Sequence, residues 1–113
     1  MDKVTKYKKL VLEVIEDIAA FVPEIEGIET QKIIDEERGH YLLYEVGWDD
    51  FQWIYGSFVH IDVKENGRVW LQHDGTDLKI AEELIGKGIP KEDIVIGFQP
   101  VSSRKLMGGY AVS

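Results

Sequence analysis

The chain has 113 residues, no cysteine and a formal net charge of −8 at pH 7. The missing thiols exclude disulfide scaffolds, thiolate metal sites and cysteine nucleophiles. The acidity argues against direct, charge-driven nucleic-acid binding, because an acidic surface repels phosphates. The length predicts one domain, residues 1–113, with a single core. No secretory or membrane-spanning segment can be drawn near the N-terminus, so a cytoplasmic protein without membrane attachment is expected.

The first predicted element is an amphipathic helix. Its apolar residues recur at steps of three and four from Val4 to Val22, which is typical of a helix with one buried stripe. Asp2 is the predicted N-cap. Pro23 ends the helix, because proline cannot continue the backbone hydrogen bonds.

A period of two then predicts a four-stranded antiparallel β-meander. Turn-rich segments separate the strands, and short connections favour antiparallel neighbours. Gly56 is the expected position of a bulge or bend in the long third strand. The four strands are predicted at residues 28–34, 40–48 and 51–63 and within the stretch 69–76.

A change of period after the fourth strand predicts a second helix. Thr76 or Asp74 can cap its start, and Gly86 and Gly88 close its end. The apolar run at residues 94–98 predicts a short final strand. The fold class is therefore α+β, with an N-terminal helix, a four-stranded antiparallel β-meander, a second helix and a short C-terminal strand. Both helices are expected on one face of the sheet.

The hairpin around Asn66-Gly67 contains the main candidate site. Asn-Gly is the strongest short-range signal for a two-residue hairpin turn. With these residues at the centre of the turn, counting outward places Val63 opposite Trp70 and His60 opposite His73. Val63 and Trp70 would then face the core.

Alternation places Asp62 on the same face as His60 and His73. Two imidazoles and a carboxylate can bind a metal ion or transfer protons. We favour a hydrogen-bonded polar cluster or an interface patch, because no zinc signature, phosphate loop or serine triad accompanies these residues. No catalytic residue, metal or cofactor is therefore assigned. The alternative is a small metal-dependent enzyme centred on His60, Asp62 and His73.

Two more polar residues are candidates for a cluster or interface. Asp74 begins a segment that could bind an ion at a helix N-terminus. The favoured interpretation is that the segment forms the turn and helix cap between the fourth strand and the second helix. Arg104 could contact a phosphate, but a solvated tail is favoured because so acidic a chain gains little from counterion release. The strands also contain more aromatic residues than one core needs, which predicts an oligomer or partner interface.

Three segments of the chain together resemble one known family: His60-Ile61-Asp62-Val63, residues 69–77 and residues 88–98. They are similar to the XisI family, the fdxN element excision controlling factors of filamentous cyanobacteria. Weaker similarities at residues 3–7, 41–42, 46–48, 104 and 110–112 extend the resemblance over essentially the whole chain. Residues 51–53 depart from the pattern because they are apolar where relatives are more basic. Residues 107–109 interrupt a tail that an aromatic triplet usually closes.

The resemblance implies a role rather than a reaction. Proteins of this kind act with an endonuclease-like protein of the XisH family and a site-specific recombinase to remove a DNA element during heterocyst differentiation. We therefore expect a non-enzymatic accessory factor that binds a XisH-like protein partner. The charge agrees with this expectation, because an acidic subunit is steered toward a basic, nucleic-acid-binding surface. A homo-oligomer is a second way to cover exposed aromatic residues.

Overall fold

The computed structural model describes residues 2–113 and confirms the predicted α+β fold class. No helix in this range is long and apolar enough to cross a membrane. In chain order the elements are α1 (Lys3–Phe21), β1 (Ile28–Asp35), β2 (His40–Asp49), β3 (Gln52–Val63), β4 (Val69–Asp74), α2 (Ile80–Lys87), a 3-10 helix (Lys91–Asp93), β5 (Ile94–Ile96) and α3 (Val101–Arg104).

The five strands form one mixed sheet in the order β1-β2-β3-β4-β5. The first four are the predicted antiparallel meander. The predicted final strand adds beside β4 in the parallel direction, with Val69 opposite Ile94. This direction follows from α2, because a helical crossover returns the chain to the same end of the sheet. The four-residue helix α3 was not predicted.

Helix α1 covers the sheet as the sequence predicts. The Asp2 carboxylate accepts a hydrogen bond of 2.8 Å from the Thr5 backbone N–H, which confirms the N-cap. The helix ends at Phe21, just before Pro23. Its buried stripe and α2 share one apolar core with β2, β3 and β4, to which these elements contribute Val11, Val14, Ile15, Ile18, Leu43, Val59, Ile61, Leu71, Ile80 and Leu84.

Helix α2 begins later than Thr76, so the prediction that Thr76 caps it is wrong. The N-cap position is Lys79, which has left-handed backbone geometry and makes no side-chain cap hydrogen bond. Asp74 supplies the acceptor instead, because its Oδ2 accepts a 3.1 Å hydrogen bond from the Ile80 N–H. The Thr76 hydroxyl accepts from the Leu78 N–H within the preceding turn.

The β3–β4 turn differs from the predicted two-residue turn. The Lys64 N–H donates to the Arg68 carbonyl and the Gly67 N–H donates to the Lys64 carbonyl. Gly67 has a φ of 84°. These features are typical of a three-residue loop, in which a tight turn is followed by a left-handed residue. Val63 therefore lies opposite Val69, and the predicted pair with Trp70 is wrong.

This offset of one residue moves Trp70 to the other side of the sheet. It lies opposite Asp62 rather than Val63, and a shift of one residue exchanges the two faces of a strand. Trp70 is therefore half-buried outside the helix-covered core, contrary to the prediction. Gln72 is an extra residue on β4, and beyond it the register is again the predicted one. The predicted His60–His73 pairing is therefore confirmed.

A second bulge lies in β3, but not at Gly56 as predicted. Gly56 remains paired with Glu45, whereas the register shifts between the pairs Tyr44–Ser57 and Leu43–Val59. Phe58 is the extra residue, and its ring packs against the core next to Val59. The bulge keeps Val59 on the helix-covered face while the start of β3 turns its aromatic side chains to the other face.

The loop geometry predicts opposite effects for two glycine substitutions. Gly67→Ala should lower the free energy of unfolding by about 1 kcal/mol, because an alanine resists left-handed geometry. Gly86→Ala, in α2 with no atom within 4 Å of the added methyl position, should raise it by about 0.5–1 kcal/mol. Urea unfolding of both variants measures the difference. Equal effects of the same sign would contradict the left-handed geometry of Gly67.

Candidate functional site

The side of the sheet that faces away from α1 is called the outer face here. Strands β2 and β3 run along it side by side from His40, opposite Asp62, to Trp48, opposite Trp53. Polar side chains lie at the first end and aromatic side chains at the second. The outer face therefore contains two chemically different regions on the same pair of strands.

The polar region is built around one buried carboxylate. Asp62 is only 5% exposed. Its Oδ1 lies 2.8 Å from His40 Nδ1 and 2.8 Å from His60 Nε2. Its Oδ2 accepts a hydrogen bond of 3.1 Å from Gln72 Nε2, and the Lys64 ammonium lies 4.0 Å away. We call His40, His60, Asp62 and Gln72 the Asp62 cluster.

Strand geometry explains why these side chains meet. His40 is the cross-strand partner of Asp62, and His60 precedes Asp62 by two residues on β3, so all three share one face. Gln72 reaches the same carboxylate because it is the extra residue on β4. The cluster therefore depends on two irregularities of the sheet, the bulges at Phe58 and Gln72.

The hydrogen bonds keep the carboxylate ionised. Burial by itself raises the pKa of Asp62, but the hydrogen bonds from His40, Gln72 and His60 together hold that pKa below its ordinary value. Oδ1 is then an acceptor for both rings, which each present an N–H group to it. At neutral pH the cluster holds a buried negative charge beside two imidazoles.

The structure brings together only part of the predicted cluster. His60 and Asp62 are in contact as expected. His73 lies opposite His60 but is exposed, and among residues 2–113 it is not one of the groups that hydrogen-bond Asp62. His40 takes that position. Sequence reasoning missed His40 because it derived a register only for β3 and β4. Counting from the β2–β3 turn without the Phe58 bulge would also have placed His40 on the opposite face.

Both carboxylate oxygens of Asp74 accept hydrogen bonds from nearby residues. Its Oδ1 accepts from the backbone N–H of Thr76 at 2.9 Å and from the Thr76 hydroxyl at 2.7 Å. Its Oδ2 accepts from the Ile80 N–H at the start of α2. These contacts indicate that Asp74 stabilises the turn and helix cap between β4 and α2 rather than an ion site.

Arg104 is half-buried and holds the C-terminal segment together. Its guanidinium donates hydrogen bonds to three backbone carbonyls, at 2.8 Å to Gln99, 3.1 Å to Val112 and 3.4 Å to Gly97. It also lies over the Trp70 ring, 5.1 Å from the ring centroid. This segment therefore covers the outer face at β4, and Arg104 is neither a solvated tail residue nor available to contact phosphate.

The aromatic region lies at the opposite end of β2 and β3. Trp48 and Trp53 pack together with ring centroids 5.4 Å apart, and Tyr44 contacts Tyr55 edge-on at 5.7 Å. Phe51 sits at the turn and is completely exposed, while Trp48, Trp53 and Tyr55 are each at least half exposed. We call Tyr44, Trp48, Phe51, Trp53 and Tyr55 the aromatic patch.

Acidic side chains border the aromatic patch. Asp49 and Asp50 are exposed beside Phe51 in the β2–β3 turn. Glu29 is exposed on β1, opposite Val46 of β2. The patch therefore combines large apolar surface with a negative rim, a composition suited to a partner with complementary positive charge.

Asp62→Asn should lower the free energy of unfolding at pH 7 by about 2 kcal/mol, because hydrogen bonds to a charged acceptor contribute about 1.5–3 kcal/mol. The depressed pKa gives the sign of the pH dependence. The contribution of Asp62 is complete above the ordinary carboxyl pKa of about 3.9 and disappears as the pH falls through the lower folded value. The difference in the free energy of unfolding between the wild type and Asp62→Asn should therefore become smaller below about pH 4.

Urea unfolding between pH 7 and pH 2.5 measures this effect. Asp77→Asn is the control, since Asp77 is exposed and surface substitutions usually change stability by less than about 0.5 kcal/mol. A deficit that stayed constant down to pH 2.5 would contradict a stabilising role for the ionised carboxylate.

Comparisons with known proteins identify the family. A crystal structure of a XisI-like protein from Anabaena variabilis superposes with a TM-score of 0.90 at 38% identity, over 97% of this chain and 99% of that one. The fdxN element excision controlling factor XisI from Anabaena variabilis superposes with a TM-score of 0.86 at 31% identity, over 99% of this chain and 100% of that one.

The comparison with curated protein sequences gives no match. The family model described as XisI protein matches residues 1–112, which is nearly the whole chain. The resemblance carried by residues 60–63, 69–77 and 88–98 is therefore confirmed. The chain belongs to the XisI family.

Proposed function

We propose that the chain is a non-enzymatic accessory factor for the programmed excision of a DNA element, and that it acts by binding a basic, XisH-like protein. Family membership supports the first part, because a relative at 31% identity is named an fdxN element excision controlling factor. The observation that carries the second part is the aromatic patch on the outer face.

The aromatic patch has the composition of a binding site. Trp and Tyr are over-represented among the residues that dominate binding energy in protein interfaces. The Trp48–Trp53 and Tyr44–Tyr55 contacts hold these rings on paired strands, so little side-chain entropy remains to be lost on binding. Neighbouring exposed aromatic side chains of this kind are typical of interaction sites in soluble domains.

Charge favours a basic partner over a second copy of the chain. Two copies that met through this patch would bring their acidic turns at Asp49 and Asp50 together within a net charge of −8 each. A DNA-handling nuclease presents the opposite charge, because it must attract phosphates. Its basic surface would meet the acidic rim while its apolar groups cover the rings. The chain would in this way cover or regulate the surface with which the nuclease binds DNA.

The contacts of the second buried carboxylate, Asp93, also support a role without catalysis. Asp93 is paired with Lys3 at 2.9 Å and with Arg68 at 2.9 Å, and it accepts a hydrogen bond from the Tyr7 hydroxyl. Burial raises the pKa of Asp93, but these partners together hold it below its ordinary value. The group joins α1, the β3–β4 hairpin and the 3-10 helix, which is a structural task.

Trp53→Ala should weaken the complex with a XisH-like protein at least tenfold, because a central Trp in an interface typically contributes more than about 2 kcal/mol. Phe21→Ala is the matched control. Phe21 is also an exposed aromatic residue, but it ends α1 on the helix-covered side. Titration calorimetry on the purified proteins measures both affinities.

The association should also slow as salt is raised, because the acidic rim steers the encounter. Stopped-flow mixing at low and high ionic strength measures this rate. If Phe21→Ala weakened the complex as much as Trp53→Ala, the aromatic patch would not be the binding surface. If the purified proteins formed no complex at all, the proposed function itself would be rejected.

A further inference from the structure

The Asp62 cluster has the ligand set of a transition-metal site. His40, His60 and Asp62 each offer one ligand atom, and these three atoms lie within 4.8 Å of one another. We propose that these residues bind one divalent transition-metal ion of the zinc class. The site is distinct from the aromatic patch, which lies at the other end of β2 and β3.

The distances need little adjustment to accept an ion. Both histidine nitrogens are 2.8 Å from Asp62 Oδ1. Tetrahedral zinc, with bonds of about 2.0–2.1 Å to nitrogen and oxygen, separates its ligand atoms by about 3.3 Å. The two histidine–Oδ1 separations therefore need to open by about half an ångström, and the two ring nitrogens, which lie within 4.8 Å of each other, need to come to the same separation of about 3.3 Å. In each ring the proton moves to the other ring nitrogen, so that the nitrogen facing Oδ1 has a free lone pair with which to bind the ion.

The donor types select the class of metal. Two imidazoles with one carboxylate suit zinc and its neighbours in the first transition row, whereas calcium and magnesium prefer oxygen ligands alone. The site also suits a cation electrostatically, because the Asp62 carboxylate is buried beside both histidine rings. Lys64 is the nearest opposing charge, but it approaches Oδ2 rather than Oδ1 and its side chain is nearly half exposed, so it can turn into solvent.

A supporting contact holds the carboxylate in the required orientation. Gln72 Nε2 donates to Oδ2, which leaves Oδ1 directed at the two imidazoles. Groups in this outer position orient metal ligands and raise metal affinity. The His40 and His60 side chains are 45% and 32% exposed, so an ion can enter from solvent and water can complete its coordination. The two ligating strands, β2 and β3, are fixed in the sheet.

Calorimetric titration of the untagged full chain with zinc chloride tests the site. The wild-type chain should bind one zinc ion, and both His40→Ala and His60→Ala should reduce the affinity by at least about tenfold. His73→Ala is the matched control, because His73 is exposed and outside the ligand set. It should bind as the wild type does. Gln72→Ala, which removes no ligand, should weaken binding about tenfold or more.

Cobalt(II) provides a second readout, since its visible absorption reports coordination by nitrogen and oxygen directly. The spectrum should develop to one equivalent with the wild type and with His73→Ala, and it should be lost with His40→Ala. Circular dichroism verifies that each variant is folded, and the half-exposed position of His40 favours this. The absence of saturable zinc binding by the wild type would overturn the proposal. Equal losses in His40→Ala and His73→Ala would do the same.

Discussion

The packing of α1 and α2 against one face of the sheet is the constraint on which the rest of the structure depends. Val11, Ile15 and their neighbours bury the inner side chains of β2 and β3, and α2 completes that core beside β4. Most of the apolar core is therefore on one side. At β4 the outer face is covered, because Arg104 lies over Trp70. Along β2 and β3 its side chains contact mainly one another across the two strands. A buried charge there needs side-chain partners, and Asp62 has them in His40, His60 and Gln72.

Local chemistry made much of this fold predictable. The Asp2 cap, the apolar stripe of α1 and the alternation in the strands each leave a direct pattern in the sequence, and the structure agrees with them. Register was less predictable, because one extra residue exchanges the faces of a strand. Asn66-Gly67 marks a turn, but it does not distinguish a two-residue loop from a three-residue loop. This difference in loop length places Trp70 on the outer face.

The candidate site was predicted only in part for the same reason. The His60–His73 pairing is correct because Gln72 compensates for the longer loop. The second ring at Asp62 is nevertheless His40 rather than the predicted His73, and His40 lies on a strand whose register depends on the Phe58 bulge. No local residue preference marks that bulge, since the expected position was the nearby Gly56. Long-range contacts between β2 and β3 decide it, and these are visible only once the sheet is assembled.

We propose that a basic, XisH-like partner binds the outer face at the aromatic patch. The chain has three tryptophans, Trp48, Trp53 and Trp70, all with outer-face positions. Of these three rings, Trp70 lies beneath the Arg104 guanidinium. The direct measurement follows the three indole N–H resonances during NMR titration with the partner. Binding at the aromatic patch should shift the signals of Trp48 and Trp53 and leave that of Trp70 in place. A complex that leaves Trp48 and Trp53 unchanged would contradict this proposal.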